Sequence, residues 1–213
     1  MFLKKVFNSV SLNFFASIFK YLSFSKIVGA NFLALAPGAI LFPSALIFSS
    51  FGWLSLTISS LIRWLFFGYA SALLGFLSPV GAYLYYKFRL ARFLLPLFCI
   101  VLFVLHPTGF AAFNYALLWL IPLSLAFYQN SIFLSIGASF AAHAVGSVVW
   151  IYLFPALPSA AWSGLIYLVL VERSLIAAGI YCLGYYNSYN RYIGNYAQNL
   201  AKKLAYKFNL LKI

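Results

Sequence analysis

The side chains able to do chemistry in this sequence are few, and one of them has no rival. Glu172 is the only acidic residue, set against fourteen Lys/Arg and two His. It stands beside Arg173 in Trp162–Leu183, WSGLIYLVLVERSLIAAGIYCL, an apolar run long enough to cross a bilayer, which takes roughly 20 residues. At about 1.5 Å per residue, Glu172 lies ~15 Å from Trp162, close to the midplane. A charge at that depth costs at least ~2.5–3.5 kcal/mol, so its place is the protein interior, where it has a use. Two more ionisable groups fall inside apolar stretches: Arg63, and His143 within GASFAAHAVGS. Neighbours on a helix stand about 100° apart, so Glu172 and Arg173 are expected to face different ways. Arg63 is then the expected partner of Glu172. Arg173 is left to carbonyls, water or an anionic ligand.

With a neutral imidazole, Arg63, His143, Glu172 and Arg173 carry one excess positive charge. A buried positive balance invites an anion, and these four are the candidate ligand-binding residues. The competing reading is structural: an Arg–Glu pair can fix helix register, and His143 can be a hydrogen-bonded core residue. Arg63 can also snorkel from a membrane interface.

Catalytic templates fail by counting, and no catalytic residue is assigned. A single carboxylate excludes a paired-carboxylate mechanism within the chain. His106, His143 and Glu172 could supply a facial metal triad by number, but His106 falls at the outer boundary while the others lie near the midplane. No G-x-S-x-G elbow, P-loop or G-x-G-x-x-G occurs, so no cofactor or metal is assigned. Cys99 and Cys182 lie in apolar segments without C-x-x-C spacing and read as packing residues.

The elements that must position these groups are set by composition. Of 213 residues, 65% are hydrophobic and 7% charged, where soluble domains carry about 25% charged. The fold class is therefore all-α: a polytopic integral membrane bundle of about six transmembrane helices, with amphipathic helices at both ends. The net charge of +13 would suggest nucleic acid in a soluble protein. Here the cations flank apolar runs, which favours the positive-inside rule and an anionic inner leaflet, with nucleic acid the weaker reading.

In chain order, residues 1–26 place Leu3, Val6, Phe7, Val10, Phe14, Ile18 and Leu22 at helical spacing, an interfacial amphipathic helix. The transmembrane bundle occupies 27–184. Its first span is Ile27–Phe48, with kinks expected at Pro37 and Pro43. Trp53–Tyr86 is too long for one span and short for two, and Gly75, Pro79 and Gly81 suggest where it breaks. Placing Lys87, Arg89 and Arg92 on the same side as both termini makes it one crossing plus a broken or re-entrant segment. Phe93–Leu105, Phe110–Phe127, Ser131–Leu153 and Trp162–Leu183 complete the count. His106–Gly109 is an outer turn in which Thr108 can cap the next helix, and Pro155–Pro158 is another outer turn. In the fifth crossing Gly137, Ala138, Ala141, Ala142 and Gly146 form overlapping small-xxx-small pairs, so a neighbouring helix should come close. Residues 185–213 are a basic amphipathic cytoplasmic tail, with Ile193, Tyr196, Leu200, Leu204, Phe208 and Leu211 at helical spacing.

Ala30-Asn31-Phe32-Leu33-Ala34 in the first span, with the length and layout, resembles the substrate-binding membrane subunits (S subunits) of energy-coupling-factor vitamin transporters. The resemblance implies a six-helix bundle with both termini cytoplasmic, no ATPase of its own, and membrane subunits and an ATPase as partners. The expected function is handling of a small anionic or zwitterionic solute, as a transporter or its binding subunit, in a bacterial-type inner membrane. Two other classes stay open: a membrane enzyme or assembly factor acting on lipid or lipoprotein, with His143 and Glu172 as acid and base, and a structural scaffold.

Overall fold

The computed structural model describes residues 40–49, 51–154 and 157–210. The amphipathic helix expected over 1–26, most of the first span with its Ala30–Ala34 face, and the end of the tail lie outside the described residues. So does part of the Pro155–Pro158 turn.

All regular secondary structure among the described residues is helical. Residues 40–48 are helical through Pro43 and are followed by α1 (Gly52–Lys87) and α2 (Arg89–Leu105). The next stretch is broken into α3 (Pro107–Ala111), α4 (Phe113–Ala116), a 3₁₀ turn (Leu117–Trp119) and α5 (Leu120–Leu125). Then come α6 (Ser131–Leu153), α7 (Ser159–Gly164) and α8 (Ile166–Leu210). Gly52–Lys87, Ser131–Leu153 and Ile166–Asn190 are long and apolar enough to cross a membrane. Large apolar side chains stand exposed along the bundle, among them Phe66, Leu90, Phe98, Leu105, Phe110 and Val171. Water does not tolerate such a surface and lipid does, so length, composition and surface all fit a membrane protein.

The sequence places the break in α1 at Gly75, Pro79 and Gly81; the structure places it at Gly68, where φ is +81° and ψ is 173°. Only glycine adopts that backbone without strain, and one residue there reverses the chain. The two arms fold against each other. Trp53 meets Tyr83 edge-to-face at 5.3 Å between ring centroids, and the Arg63 side chain lies along Gly75. Pro79 stays inside the second arm. Trp53–Tyr86 is thus a helical hairpin rather than one crossing with a broken segment. It is not short for two passes because a single-residue turn consumes no loop.

The bundle has two ends, named here for Arg92 and His106. The second hairpin arm runs antiparallel to α6, with Tyr85 over Gly137, Gly81 against Val145, and Ser78 with Leu74 at Gly146. Continuing that register brings Gly68 level with the last turn of α6, at the His106 end. Phe48 contacts Tyr86 and Gly184, and its carbonyl accepts from Asn187 Nδ2 at 3.2 Å, so 40–48 and the middle of α8 meet at the Arg92 end. Between Gly52 and Gly184 the described chain therefore passes from end to end six times. Lys87, Arg89 and the start of the tail share the Arg92 end.

α6 is the element on which the others pack: the hairpin lies on one flank, α8 on another, with α2 and α5 completing the enclosure. It spans Ser131–Leu153 as the sequence predicts, started by Asn130, whose side chain accepts from Ile132 N at 2.9 Å. Its small face receives the second hairpin arm. A Cβ on Gly137 would strike the Tyr85 ring, and one on Gly146 would come within 2.8 Å of Ser78 Oγ.

One further expectation is corrected. His106, not Thr108, caps the helix after α2: its Nδ1 accepts from Thr108 N at 3.3 Å, because Pro107 takes the first helical position and leaves His106 as the N-cap. At the other end α8 runs unbroken through residue 185 to Leu210. The boundary read from composition is a change of side chains along one helix.

Candidate functional site

Among the described residues, two polar clusters stand out in the bundle. At the Arg92 end, Arg92 itself is 5% exposed, although the sequence counts it among the flanking cations. Its Nε donates to the Tyr85 carbonyl at 3.1 Å, Nη2 to the Tyr86 carbonyl at 3.2 Å, and Nη1 to Gln129 Oε1 at 3.2 Å and the Tyr128 carbonyl at 3.5 Å. These are the orphan carbonyls at the end of the hairpin and just past α5, and a cation there also answers the negative end of the helix dipole. Beside it the Tyr85 hydroxyl donates to the Pro122 carbonyl at 2.6 Å. The signal for Arg92 was present: Arg92, Pro96, Cys99 and Phe103 are the buried stripe of α2, at i, i+4, i+7 and i+11.

The second cluster occupies the middle of the bundle and centres on Tyr115, which sequence reasoning missed. The broken stretch between Pro107 and Leu125 puts it there. The backbone leaves helical geometry at Ala112 (φ −113°, ψ 30°), and Asn114 Oδ1 accepts from both Tyr115 N at 3.0 Å and Ser163 Oγ at 3.1 Å. Irregular backbone at such a depth survives only under protein cover, and Ala112, Tyr115, Ala116 and Trp119 are all buried. The Tyr115 hydroxyl and His143 Nε2 share a hydrogen bond of 2.6 Å, and Ser147 Oγ lies 3.4 Å from each. The imidazole tautomer sets the direction of that bond: with Nε2 bare the Tyr115 hydroxyl donates, and with Nε2 protonated it accepts.

Around Tyr115 stands a wall of rings. Trp162 is 4.9 Å away and Trp119 6.2 Å, centroid to centroid, and both meet Phe103 edge-to-face at 5.3 and 5.1 Å. On the α8 side, Ser139 Oγ donates to the Arg173 carbonyl at 2.8 Å, holding α8 to α6 at this level. Arg173 is within electrostatic reach of both Tyr115 and His143, and Glu172 of Tyr115.

Of the four residues singled out in the sequence, the structure brings together His143, Glu172 and Arg173. Arg63 lies apart, packed inside the hairpin on a different flank of α6 from α8. Glu172 pairs instead with its neighbour: Arg173 Nη2 donates to Glu172 Oε1 at 2.8 Å. The 100° argument fails here because it fixes only the Cα–Cβ directions, while a long guanidinium stem curls back over its own turn. The pair is self-neutralising, so an anion is not called for by net charge at this centre.

The centre does hold unpartnered donors. Among the described residues, buried polar atoms without a hydrogen-bond partner include Trp119 Nε1, Trp162 Nε1 and Arg173 Nε, with Trp150 Nε1, Ser44 Oγ and Ser60 Oγ elsewhere. The first three belong to side chains grouped around Tyr115, and all three are donors that cannot accept. Leaving a buried donor unmade costs about 1–3 kcal/mol.

Known proteins offer no guide. The chain matches no family model, no curated protein and no solved structure.

The cluster is poor in metal chemistry: no group of three or more His, Cys, Asp or Glu gathers among the described residues. What the arrangement can do is donate. Two tryptophans packed around the hydroxyl–imidazole pair, and Arg173 within its electrostatic reach, each carry an unpartnered N–H, and donors of this kind suit a small ligand rich in acceptor oxygens.

Proposed function

We propose that the protein is a membrane carrier, or the substrate-binding subunit of one, for a small anionic or zwitterionic solute held at the Tyr115–His143 centre. The single observation behind this reading is the set of unpartnered buried donors, Trp119 Nε1, Trp162 Nε1 and Arg173 Nε, on side chains gathered around Tyr115. Buried donors are rarely left unmade, and three gathered around one hydroxyl support a site that receives acceptors. A carboxylate or phosphate oxygen supplies the acceptors, and the aromatic wall excludes water from an apolar remainder, as small-ligand sites generally do. Glu172 gives a zwitterion's cationic end its only carboxylate. Six passes over Gly52–Gly184 become six membrane crossings, one more than the sequence assigns to that stretch because the hairpin crosses twice, with the cationic Arg92 end on the cytoplasmic side of a bacterial-type inner membrane. The size keeps the resemblance to energy-coupling-factor S subunits as part of the proposal, and with it membrane and ATPase partners.

A second reading is favoured by one observation. Because Glu172 and Arg173 neutralise each other within one turn, the pair can serve packing alone, which is the scaffold class. Native mass spectrometry of the detergent-purified protein separates the two. A carrier or binding subunit retains a small molecule of discrete mass, released as acidic groups are competed by added phosphate or carboxylate. A protein that flies at its bare mass under conditions that preserve lipid adducts contradicts the carrier reading.

A further inference from the structure

Building on the solute site proposed above, we infer that the Tyr115–His143 centre takes up one proton with each anion it binds, and that His143 receives it. The occupant is thereby narrowed to an oxyanion carrying a single charge. Glu172 and Arg173 are joined at 2.8 Å and cancel, and a neutral His143 imidazole adds nothing to them. The centre is then electrically neutral. A monoanion seated on the donors around Tyr115 leaves one negative charge over. An uncompensated charge in the middle of the bundle is costly, so anion binding stays weak unless a proton comes too.

The groups that could hold this proton come from several elements. Tyr115 arrives on α4, Glu172 and Arg173 on α8, and Cys99 on α2 in the same core as Tyr115. The hairpin sets Gly81 against Val145 and Ser78 against Gly146, and α5 reads LIPLSL, so neither offers a titratable side chain here. A tyrosine hydroxyl, a thiol and a guanidinium already carry their protons at neutral pH. Glu172 can take one only by giving up its ion pair with Arg173. His143 gives up nothing. Its Nε2 lies 2.6 Å from a hydroxyl that accepts as readily as it donates, and Ser147 Oγ is 3.4 Å from both. The proton adds to the lone pair of the bare ring nitrogen, and no other covalent bond changes. In the imidazolium, Nε2 donates to the Tyr115 oxygen, which keeps its own hydrogen and turns it toward Ser147 Oγ or the anion. The new cation balances the anion, and Glu172 stays paired with Arg173.

The test uses the full chain in detergent with methanesulfonate, a monoanion with acceptor oxygens whose charge does not change around neutral pH. Affinity is followed by thermal-shift titration at a series of pH values, and protons taken from a weakly buffered solution are counted with an indicator dye. One proton per bound ion is expected. Toward the alkaline end, where the free imidazole is neutral, Kd should rise about tenfold per pH unit. His143→Gln, whose amide reaches the Nε2 position but cannot be protonated, should bind more weakly and lose both the slope and the proton. His106→Asn removes the other imidazole, can still cap its helix, and should keep both. The proton count on wild type and His106→Asn decides the matter should His143→Gln fail to purify. Methanesulfonate bound with the same Kd at every pH overturns the inference and leaves the solute site standing. No binding at any pH removes the site and the inference together. A slope that survives His143→Gln, or disappears in His106→Asn, overturns the role of His143.

Discussion

Arg92 and Arg173 are both drawn into the bundle, and their surroundings differ in kind. Arg92 uses its guanidinium on four acceptors of the protein's own, three of them main-chain carbonyls at helix ends. Tyr85 next to it is likewise closed by the Pro122 carbonyl. Arg173 has one side-chain bond, to Glu172, and its Nε has no partner among the described residues, as is true of the indoles of Trp119 and Trp162. One end of the molecule is saturated and the centre is not. Saturated polar groups hold an architecture together, and donors left open in a buried place are what the proposed solute site would use. The two regions should therefore answer mutation with opposite signs.

The largest effect is expected at the saturated end. Arg92→Leu strips the caps from two helix ends and leaves buried carbonyls unmet, and charge-assisted bonds of this kind are worth about 1.5–3 kcal/mol each. We predict a loss of ~3–5 kcal/mol, read as failure to purify folded or as a fall in melting temperature of about 10 °C or more. A variant as stable as wild type would show that the helix ends do not depend on this residue.

Next comes Glu172→Gln, which leaves the Arg173 guanidinium without its counter-charge. Breaking one side of a buried pair costs about 3–5 kcal/mol, reduced here because the two side chains keep 22% and 13% of their surface. Glu172→Gln/Arg173→Gln should recover most of the loss in a thermal-melt assay. A double variant no more stable than the single one would mean that the pair is not the source of the effect.

Gly68→Ala follows in size. A Cβ meets nothing there, so the cost is purely the backbone conformation, ~1–3 kcal/mol. Thermal melting should fall by a few degrees, and cross-linking of paired cysteines replacing Trp53 and Tyr83 should slow without vanishing. If alanine is tolerated freely, the hairpin turn lies elsewhere.

These positions also show what the sequence made legible. α6 could be read end to end, because Asn130 marks its start and its small residues mark a close-packed face. Glu172 and His143 stood out by being rare. Gly68 did not, since FFGYAS offers nothing that Gly75 or Gly81 does not also offer; only pairing of the two arms decides among them. Tyr115 was hidden by abundance, one tyrosine among sixteen in a chain that is 21% aromatic. Its position depends on a helix broken at Ala112, which no local rule foretells. Arg92 was misread through its neighbours Lys87 and Arg89, although its place on the buried stripe with Pro96, Cys99 and Phe103 set it apart.

The smallest effect on stability is the most informative, and it falls in the open centre. Trp119→Phe/Trp162→Phe keeps an aromatic ring at each buried position and removes the two unmet indole donors together with part of each fused ring. Stability should fall by about 1–2 kcal/mol, the two small voids costing more than the loss of unmet donors returns. Solute occupancy, measured by native mass spectrometry on wild type and variant side by side, should fall at least tenfold, the equivalent of about 1.4 kcal/mol. A double variant that keeps wild-type occupancy, or one that loses stability as Arg92→Leu does, contradicts the assignment of these donors to a ligand.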